Sequence, residues 1–166
     1  MADSTLVLDP LAASRKLDRI AHEILEHYDS CEDVVLLGIG ENGSKMAREL
    51  ANRMDSFIQS PPKVGTIKLE KHGSFSSSPT LVNAPDVIGK QVIVVDDVLN
   101  SGRTLIHAVG YILTFEPKEV RTMVLVDRRH RKFPIRADFV GLTLSTTIEE
   151  HIHVAFDGSG ISASLK

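Results

Sequence analysis

Two adjacent carboxylates, Asp96 and Asp97, follow a run of four aliphatic residues and precede a short polar turn in "VIVVDDVLNSGRTLIHAV", residues 92–109. The aliphatic run reads as a strand buried on both faces, and the segment from about Arg103 or Thr104 reads as a helix. Between them, the backbone N–H groups of Asn100, Ser101, Gly102, Arg103 and Thr104 would converge at a helix N-terminus, where the dipole favours an anion. Gly102 lets the chain approach that anion closely, and the hydroxyls of Ser101 and Thr104 add donors. A phosphate turn beside two carboxylates makes sense if the acids grip a different part of the ligand. Ribose hydroxyls are donors one carbon from a 5-phosphate, so a sugar phosphate satisfies both halves of the motif. The bland alternative is a surface turn on an acidic strand end, but the ordered combination is rarer than a lone glycine pattern.

The elements around this stretch alternate. "LAASRKLDRIAHEILEHY" has helical spacing with Ser14 as a candidate cap, and "DVVLLGI" is a buried strand pattern. "GENG" reads as a turn into a second helix, "SKMARELANRMDSFI", ended by Pro61 and Pro62. "KVGTIKLEKH" alternates like a strand, "GSFSSSPTLVNAPDVIG" reads as a polar loop, and "VRTMVLVDR" is a third aliphatic strand. "ADFVGLTLST" and "HIHVAFDG" are shorter strand candidates. The pattern implies an α/β fold: a parallel sheet flanked by helices on both faces, with a small β hood, in a single domain over residues 1–166. In such sheets ligands bind at the carboxyl ends of the strands, where the motif sits.

The whole chain is compatible with that placement. At 166 residues, 42% hydrophobic and 25% charged, it has the composition of a soluble globule able to bury a core. No apolar stretch has the length of a membrane span, and the N-terminus lacks the order of a signal peptide, so a cytoplasmic protein is expected. One cysteine, Cys31, allows neither an internal disulfide nor a cysteine metal cage. A net charge of −3 does not announce a nucleic-acid binder, although a local basic face is compatible with it.

"VIVVDDVLNSGRT" resembles the diphosphoribose-binding signature of the type I phosphoribosyltransferases. "VLVDRRHRKFPIRADFVG", "DRIAHEILE" and "VIGKQVIVVDDVL" resemble the branch of pyrimidine operon regulators that double as uracil phosphoribosyltransferases. The resemblance spans almost the whole chain and is strongest from Gly89 to Gly141. It implies transfer from 5-phosphoribosyl diphosphate (PRPP) to uracil or a related pyrimidine, giving the nucleoside monophosphate and diphosphate. Residues 100–104 would hold the 5-phosphate, and Asp96 and Asp97 the ribose, directly or through Mg²⁺ and water. Asp127 is the third carboxylate implied near the metal and diphosphate.

The same resemblance makes "GIGENGS", residues 38–44, the diphosphate loop, with Gly40, Asn42 and Gly43 presenting the anion site. A simple tight turn is equally open. The family often has a basic residue at position 42, where this chain has a neutral amide, and Lys45 is the nearest compensating cation. Residues 70–85 correspond to a closing lid, with Lys68, Lys71 and His72 as its basic candidates. Phe139 would stack on the base, Val140 would read its edge, and Arg128 would assist. Core packing is the ordinary fate of a phenylalanine such as Phe139. Asn100 stands where purine-using relatives tend to have a carboxylate, which tilts the choice toward pyrimidine.

RNA binding is the alternative function. The basic run "RRHRKFPIR" reads first as a solvated face, but the family's RNA-binding members use residues matching Arg19, His22, His130 and Arg136. Asp18 and Leu142 count against that role. A nucleotide sensor without turnover is a third reading. His151 and His153 share a strand face with no third zinc ligand nearby. The family resemblance also implies a homo-oligomer, dimer or tetramer.

Overall fold

The structure is a computed structural model that describes residues 5–70, 77–147 and 150–166. Helix α1, Pro10–His27, follows the short strand β1, Thr5–Leu8. Its cap is Asp9, whose Oδ1 accepts from the Ala12 amide at 2.7 Å, and Pro10 supplies the preset φ of a first helical residue. Ser14 therefore lies inside the first turns and does not cap them. Strand β2, Val34–Ile39, is buried at all six positions and leads directly into helix α2, Gly40–Asp55. "GENG" is thus the first turn of a helix, where sequence reading expects a loop.

Strand β3, Lys63–Lys68, lies parallel to β2, and β4, Thr80–Val82, pairs antiparallel with β3. Part of the segment read as an unstructured lid is therefore a sheet edge; Lys71 and His72 lie outside the described residues. Strand β5 runs Gln91–Leu99, two residues past the aspartates, and helix α3 spans Arg103–Leu113. Strands β6, Glu119–Asp127, and β7, Phe139–Thr143, complete a six-stranded sheet of order β4-β3-β2-β5-β6-β7. All its pairs except β3–β4 are parallel.

The strand period of two sorts the side chains into two layers. Leu36, Ile93, Val95, Met123 and Leu125 face α1 and α2 on one side. Val35, Leu37, Val92, Val94 and Val124 face Leu105, Ala108 and Ile112 of α3 on the other. Truncating one of these, such as Leu36→Ala, would cost about 2–5 kcal/mol. Strands β8, Ile152–Asp157, and β9, Gly160–Leu165, join β1 in a separate antiparallel sheet of order β1-β9-β8. The hood is therefore built from both ends of the chain. Strands β1 and β9 escape a sequence reading that looks for longer alternating runs.

One close approach fixes how α2 sits on the sheet. A Cβ on Gly43 would stand 2.6 Å from the Val95 carbonyl oxygen, and one on Gly38 would stand 2.3 Å from the Gly43 backbone. Only glycines at both places let the start of α2 cross the ends of β2 and β5 at this distance.

Candidate active site

The carboxyl ends of the parallel strands open into a cleft of about 650 Å³, within the usual size for a small-molecule site. Asp96 and Asp97 lie on its floor, 4% and 9% exposed. Their burial is made tolerable by local donors. The Asp97 amide donates to Asp96 Oδ1 at 2.9 Å and the Val98 amide to Asp97 Oδ1 at 3.0 Å. Asn42 Nδ2 donates to Asp97 Oδ2 at 2.8 Å from the first turn of α2. Asn42 thus reaches the cleft, but its amide is engaged with the carboxylate.

The turn from Asn100 to Thr104 forms one wall of the cleft. Gly102 has φ +86° immediately before α3, a left-handed conformation that glycine adopts without strain, and Ile135 closes over it. The Ser101 carbonyl accepts from the amides of Lys132 and Phe133 at 2.8 and 3.1 Å. The segment after β6 therefore braces the turn from behind. Gly102, the N-cap of α3, has no side chain to cap it, and the Ser101 hydroxyl accepts from the Arg103 amide at 3.3 Å, so the helix start with its favourable dipole lies along the cleft wall.

Arg128 adjoins this turn in the cleft lining and is 3% exposed. Its Nη1 donates to Asn100 Oδ1 at 3.1 Å, its Nε to Thr146 Oγ1 at 2.9 Å, and its Nη2 to the Thr147 and Glu150 carbonyls. Burial pushes its pKa below the usual arginine value, and the Glu150 charge opposes that shift. His151 and Ile152 extend this wall from the hood. They are tied down by paired backbone hydrogen bonds between His151 and Lys166, at 2.8 and 2.9 Å.

Not every expected residue is in the cleft. Gly40 and Gly43 are not in its lining; Gly43 serves the packing of α2 described above. Phe139 opens β7 opposite Met123, at the end of the strand remote from the cleft. It is 7% exposed within the core and meets the His27 ring edge-on at 6.3 Å. The Val140 carbonyl accepts from Arg19 at 2.9 Å. Neither residue lines the cleft. Asp127 is 5% exposed and is also absent from the lining. Its Oδ1 accepts from the Arg129 amide at 2.9 Å and its Oδ2 from Arg131, which makes it the anchor of the turn after β6.

Lys45 points toward the hood, paired with Glu41 at 2.7 Å and 5.7 Å above the Phe156 ring, so it does not replace a cation at position 42. Sequence reading missed His151 and Ile152 as wall residues. Their only visible signal was strand alternation, which does not report proximity to a motif some fifty positions earlier.

The RNA candidates are held by different parts of the fold. Arg19 is bonded to Glu23 and to the β7 carbonyls of Val140 and Gly141, while His22 packs on Phe57 at 4.6 Å. His130 bonds the Thr146 carbonyl, and the Arg136 carbonyl accepts from Thr122 near the opposite end of β6. No cluster of three or more His, Cys, Asp or Glu residues suited to a metal occurs among the described residues.

A doubly covered parallel sheet with this turn and acid pair defines a phosphoribosyltransferase fold. The chain belongs to the phosphoribosyl transferase domain family, whose model matches residues 5–157. Among relatives, the "Bifunctional protein PyrR" of Geobacter sulfurreducens is 40% identical, over 96% of this chain and 94% of its own length. The "Bifunctional protein PyrR" of Streptomyces coelicolor is 38% identical over 89% and 81%. The fold is also that of Trypanosoma cruzi hypoxanthine phosphoribosyl transferase, with TM-score 0.75 at 19% identity, covering 86% of this chain and 79% of that one. A hypoxanthine-guanine phosphoribosyltransferase from Bacillus anthracis superposes with TM-score 0.73 at 19% identity, covering 96% of each chain. No described helix is long and apolar enough to cross a membrane.

Proposed function

We propose that the chain transfers the 5-phosphoribosyl group of PRPP to a pyrimidine base, with uracil as the first substrate to test. The single observation that carries this reading is the shared cleft: the 100–104 turn, the Asp96–Asp97 pair and the Arg128–Ile152 wall line one cavity. The turn would hold the 5-phosphate through backbone amides, and the two aspartates would accept from the ribose hydroxyls. The base would lie against Arg128, His151 and Ile152, in place of Phe139 and Val140.

Mg²⁺ fits this arrangement. Two neighbouring buried carboxylates beside the diphosphate position can contribute to a shell otherwise made of substrate oxygens and water, which is how Mg²⁺ is usually bound. When bound it would neutralise charge on the departing diphosphate. The protein's own contribution is positioning and electrostatics: Asp96 and Asp97 favour the positive charge that develops on the ribose, and the turn fixes the sugar's orientation. Asn100 orients Arg128 through its side-chain oxygen.

The relatives' name, "Bifunctional protein PyrR", supports a second reading, an RNA-binding regulator of pyrimidine biosynthesis responsive to uridine nucleotide. It remains a proposal beside the first. One domain, a cytoplasmic location and a dimer or tetramer belong to the same proposal. Incubation with PRPP, Mg²⁺ and a panel of bases, scored for nucleotide formed, tests the transferase directly. Turnover of a pyrimidine supports it; turnover of purines alone, or of nothing, removes it.

A further inference from the structure

A second hollow, of about 460 Å³, adjoins the cleft and shares Asn100, Ser101, Arg128 and His151 with it. The rest of its lining is cationic or titratable: Arg129, His130, Arg131 and Lys132. Arg131 is pinned to Asp127, and its Nε is buried with no hydrogen-bond partner among the described residues. Arg128 is almost wholly buried, and among the described residues the acceptors around its guanidinium are neutral. Glu150, whose charge acts on it, spends a carboxylate oxygen on the amide and hydroxyl of Thr147, at 2.7 and 2.9 Å. No ion pair joins Arg128, Arg129 or Lys132 to a carboxylate among the described residues. A buried positive charge is costly, and an anion arriving in the hollow would offset part of that cost.

Arg129 adds an independent sign. Its φ is +59°, a left-handed conformation that costs a side-chain-bearing residue about 1–2 kcal/mol and glycine almost nothing. A strained, exposed arginine kept at the rim of a cationic hollow argues for a use of its side chain.

We propose that the hollow receives a carboxylate carried by the pyrimidine ring, so that acidic pyrimidine bases are used in preference to neutral ones. The inference rests on reading the main cleft as a pyrimidine phosphoribosyl site. The hollow opens at the Arg128–His151 wall where the base would lie; the Arg128 donors are largely engaged there, and the exposed guanidinium of Arg129 at the rim is the fork that can meet a planar carboxylate in two parallel hydrogen bonds. The carboxylate takes no part in the bond changes. The C1–oxygen bond breaks with its electron pair leaving on diphosphate, the ring nitrogen bonds to C1, and the ring N–H proton passes to water.

The test compares uracil, uracil-5-carboxylate and uracil-6-carboxylate as competing substrates with PRPP and Mg²⁺, in the full chain and in Arg129→Gly. At least one acid is expected to be used with kcat/KM about tenfold or more above uracil, the worth of a charge-assisted contact. In Arg129→Gly that ratio should fall several-fold while Tm rises, because glycine relieves the left-handed strain; a merely structural arginine would not move the ratio. If uracil reacts and neither acid surpasses it, the hollow's assignment is wrong and the transferase reading stands. If no base reacts, both fall. If Arg129→Gly loses affinity for RNA and leaves the ratio unchanged, the hollow belongs to RNA phosphates and the proposal is overturned.

Discussion

Asn42 Nδ2 donates to Asp97 Oδ2 at 2.8 Å, joining the first turn of α2 to the floor of the cleft. The neutral amide at this position therefore organises a carboxylate. Removing a donor from a buried carboxylate costs about 1.5–3 kcal/mol. Asn42→Ala should raise KM for PRPP several-fold, with a smaller change in kcat, because the loss falls on the binding geometry of Asp97. Steady-state kinetics at varied PRPP checks this; an unchanged KM would mean that Asp97 is held well enough without Asn42.

Asp96→Asn combined with Asp97→Asn should reduce transfer by about a hundredfold or more, as loss of charge stabilisation at a reacting centre commonly does. The fold should survive, since each asparagine keeps a side-chain oxygen for the backbone amides that Asp96 and Asp97 now accept from. Circular dichroism alongside the rate separates the two effects. Comparable turnover in the double variant removes the ribose assignment.

Those two residues and the turn after them were legible in the sequence because the chemistry is local. Nine consecutive positions, Asp96 to Thr104, carry the acids, the glycine and the helix start. The alternating strands were legible because doubly buried strands are continuously aliphatic. What could not be read depends on chain-distant neighbours. Phe139 is a plausible base stacker in isolation, and only its register opposite Met123 puts it at the far end of β7. His151 and Ile152 become a wall because β9, which itself pairs with β1, holds them through the His151–Lys166 and Ile152–Leu165 pairings. Glycines oppose helices, so Gly40 and Gly43 hid the true start of α2. Asp127 looked catalytic beside Arg128, but its oxygens hold the following turn.

Gly43→Ala tests the packing that places Asn42. The new methyl would meet the Val95 carbonyl at 2.6 Å, a backbone atom that cannot swing away. Overpacking of this kind costs about 1–3 kcal/mol, so a Tm fall of several degrees is expected. Calorimetry of the variant reads it directly, and a Tm within a degree of the parent would show that α2 shifts at little cost.

Tyr28 gives a pH dependence. Burial, followed by the Glu119 charge, raises its pKa from 10.0 to about 12. The folded state thus disfavours tyrosinate relative to the unfolded chain. The resulting stability is fully present below pH 10 and is lost as pH rises through the interval from about 10 to 12. Denaturant midpoints measured across that interval should fall less steeply in Tyr28→Phe, which has no hydroxyl to ionise. Equal slopes would contradict the assignment.

Chelation should leave the ligand-free protein's Tm unchanged and weaken PRPP binding. The described residues hold no protein cage for a metal, and the hydrophobic layers on both sheet faces are complete without one. Any Mg²⁺ would then arrive with the diphosphate, sharing only Asp96 and Asp97. Thermal scans with and without chelator, each repeated with PRPP, separate the roles. A sharp fall in the ligand-free Tm would make the metal structural and would displace the aspartates from the ribose.

The regulator reading can be weighed by salt dependence. Affinity for RNA comes largely from phosphate contacts, so each engaged cation steepens the loss of binding as salt rises. Arg19 is bonded to Glu23 and two β7 carbonyls, and Arg53 holds Asp18 beside it, so the Arg19 charge is already partnered. The Arg136 carbonyl accepts from Thr122 of β6, whereas His130 bonds the Thr146 carbonyl, so the two are held by different segments. With a net charge of −3 there is little long-range attraction to compensate. Binding to a pyrimidine-operon leader RNA should therefore be weak, shallow in salt and insensitive to uridine monophosphate. Arg19→Ala and Arg136→Ala should leave it nearly unchanged. Titrations across a salt series, with and without the nucleotide, decide the matter. Tight, sequence-specific binding that uridine monophosphate strengthens would reverse the ranking, because the ligand in the cleft would then be coupled to an assembled RNA surface.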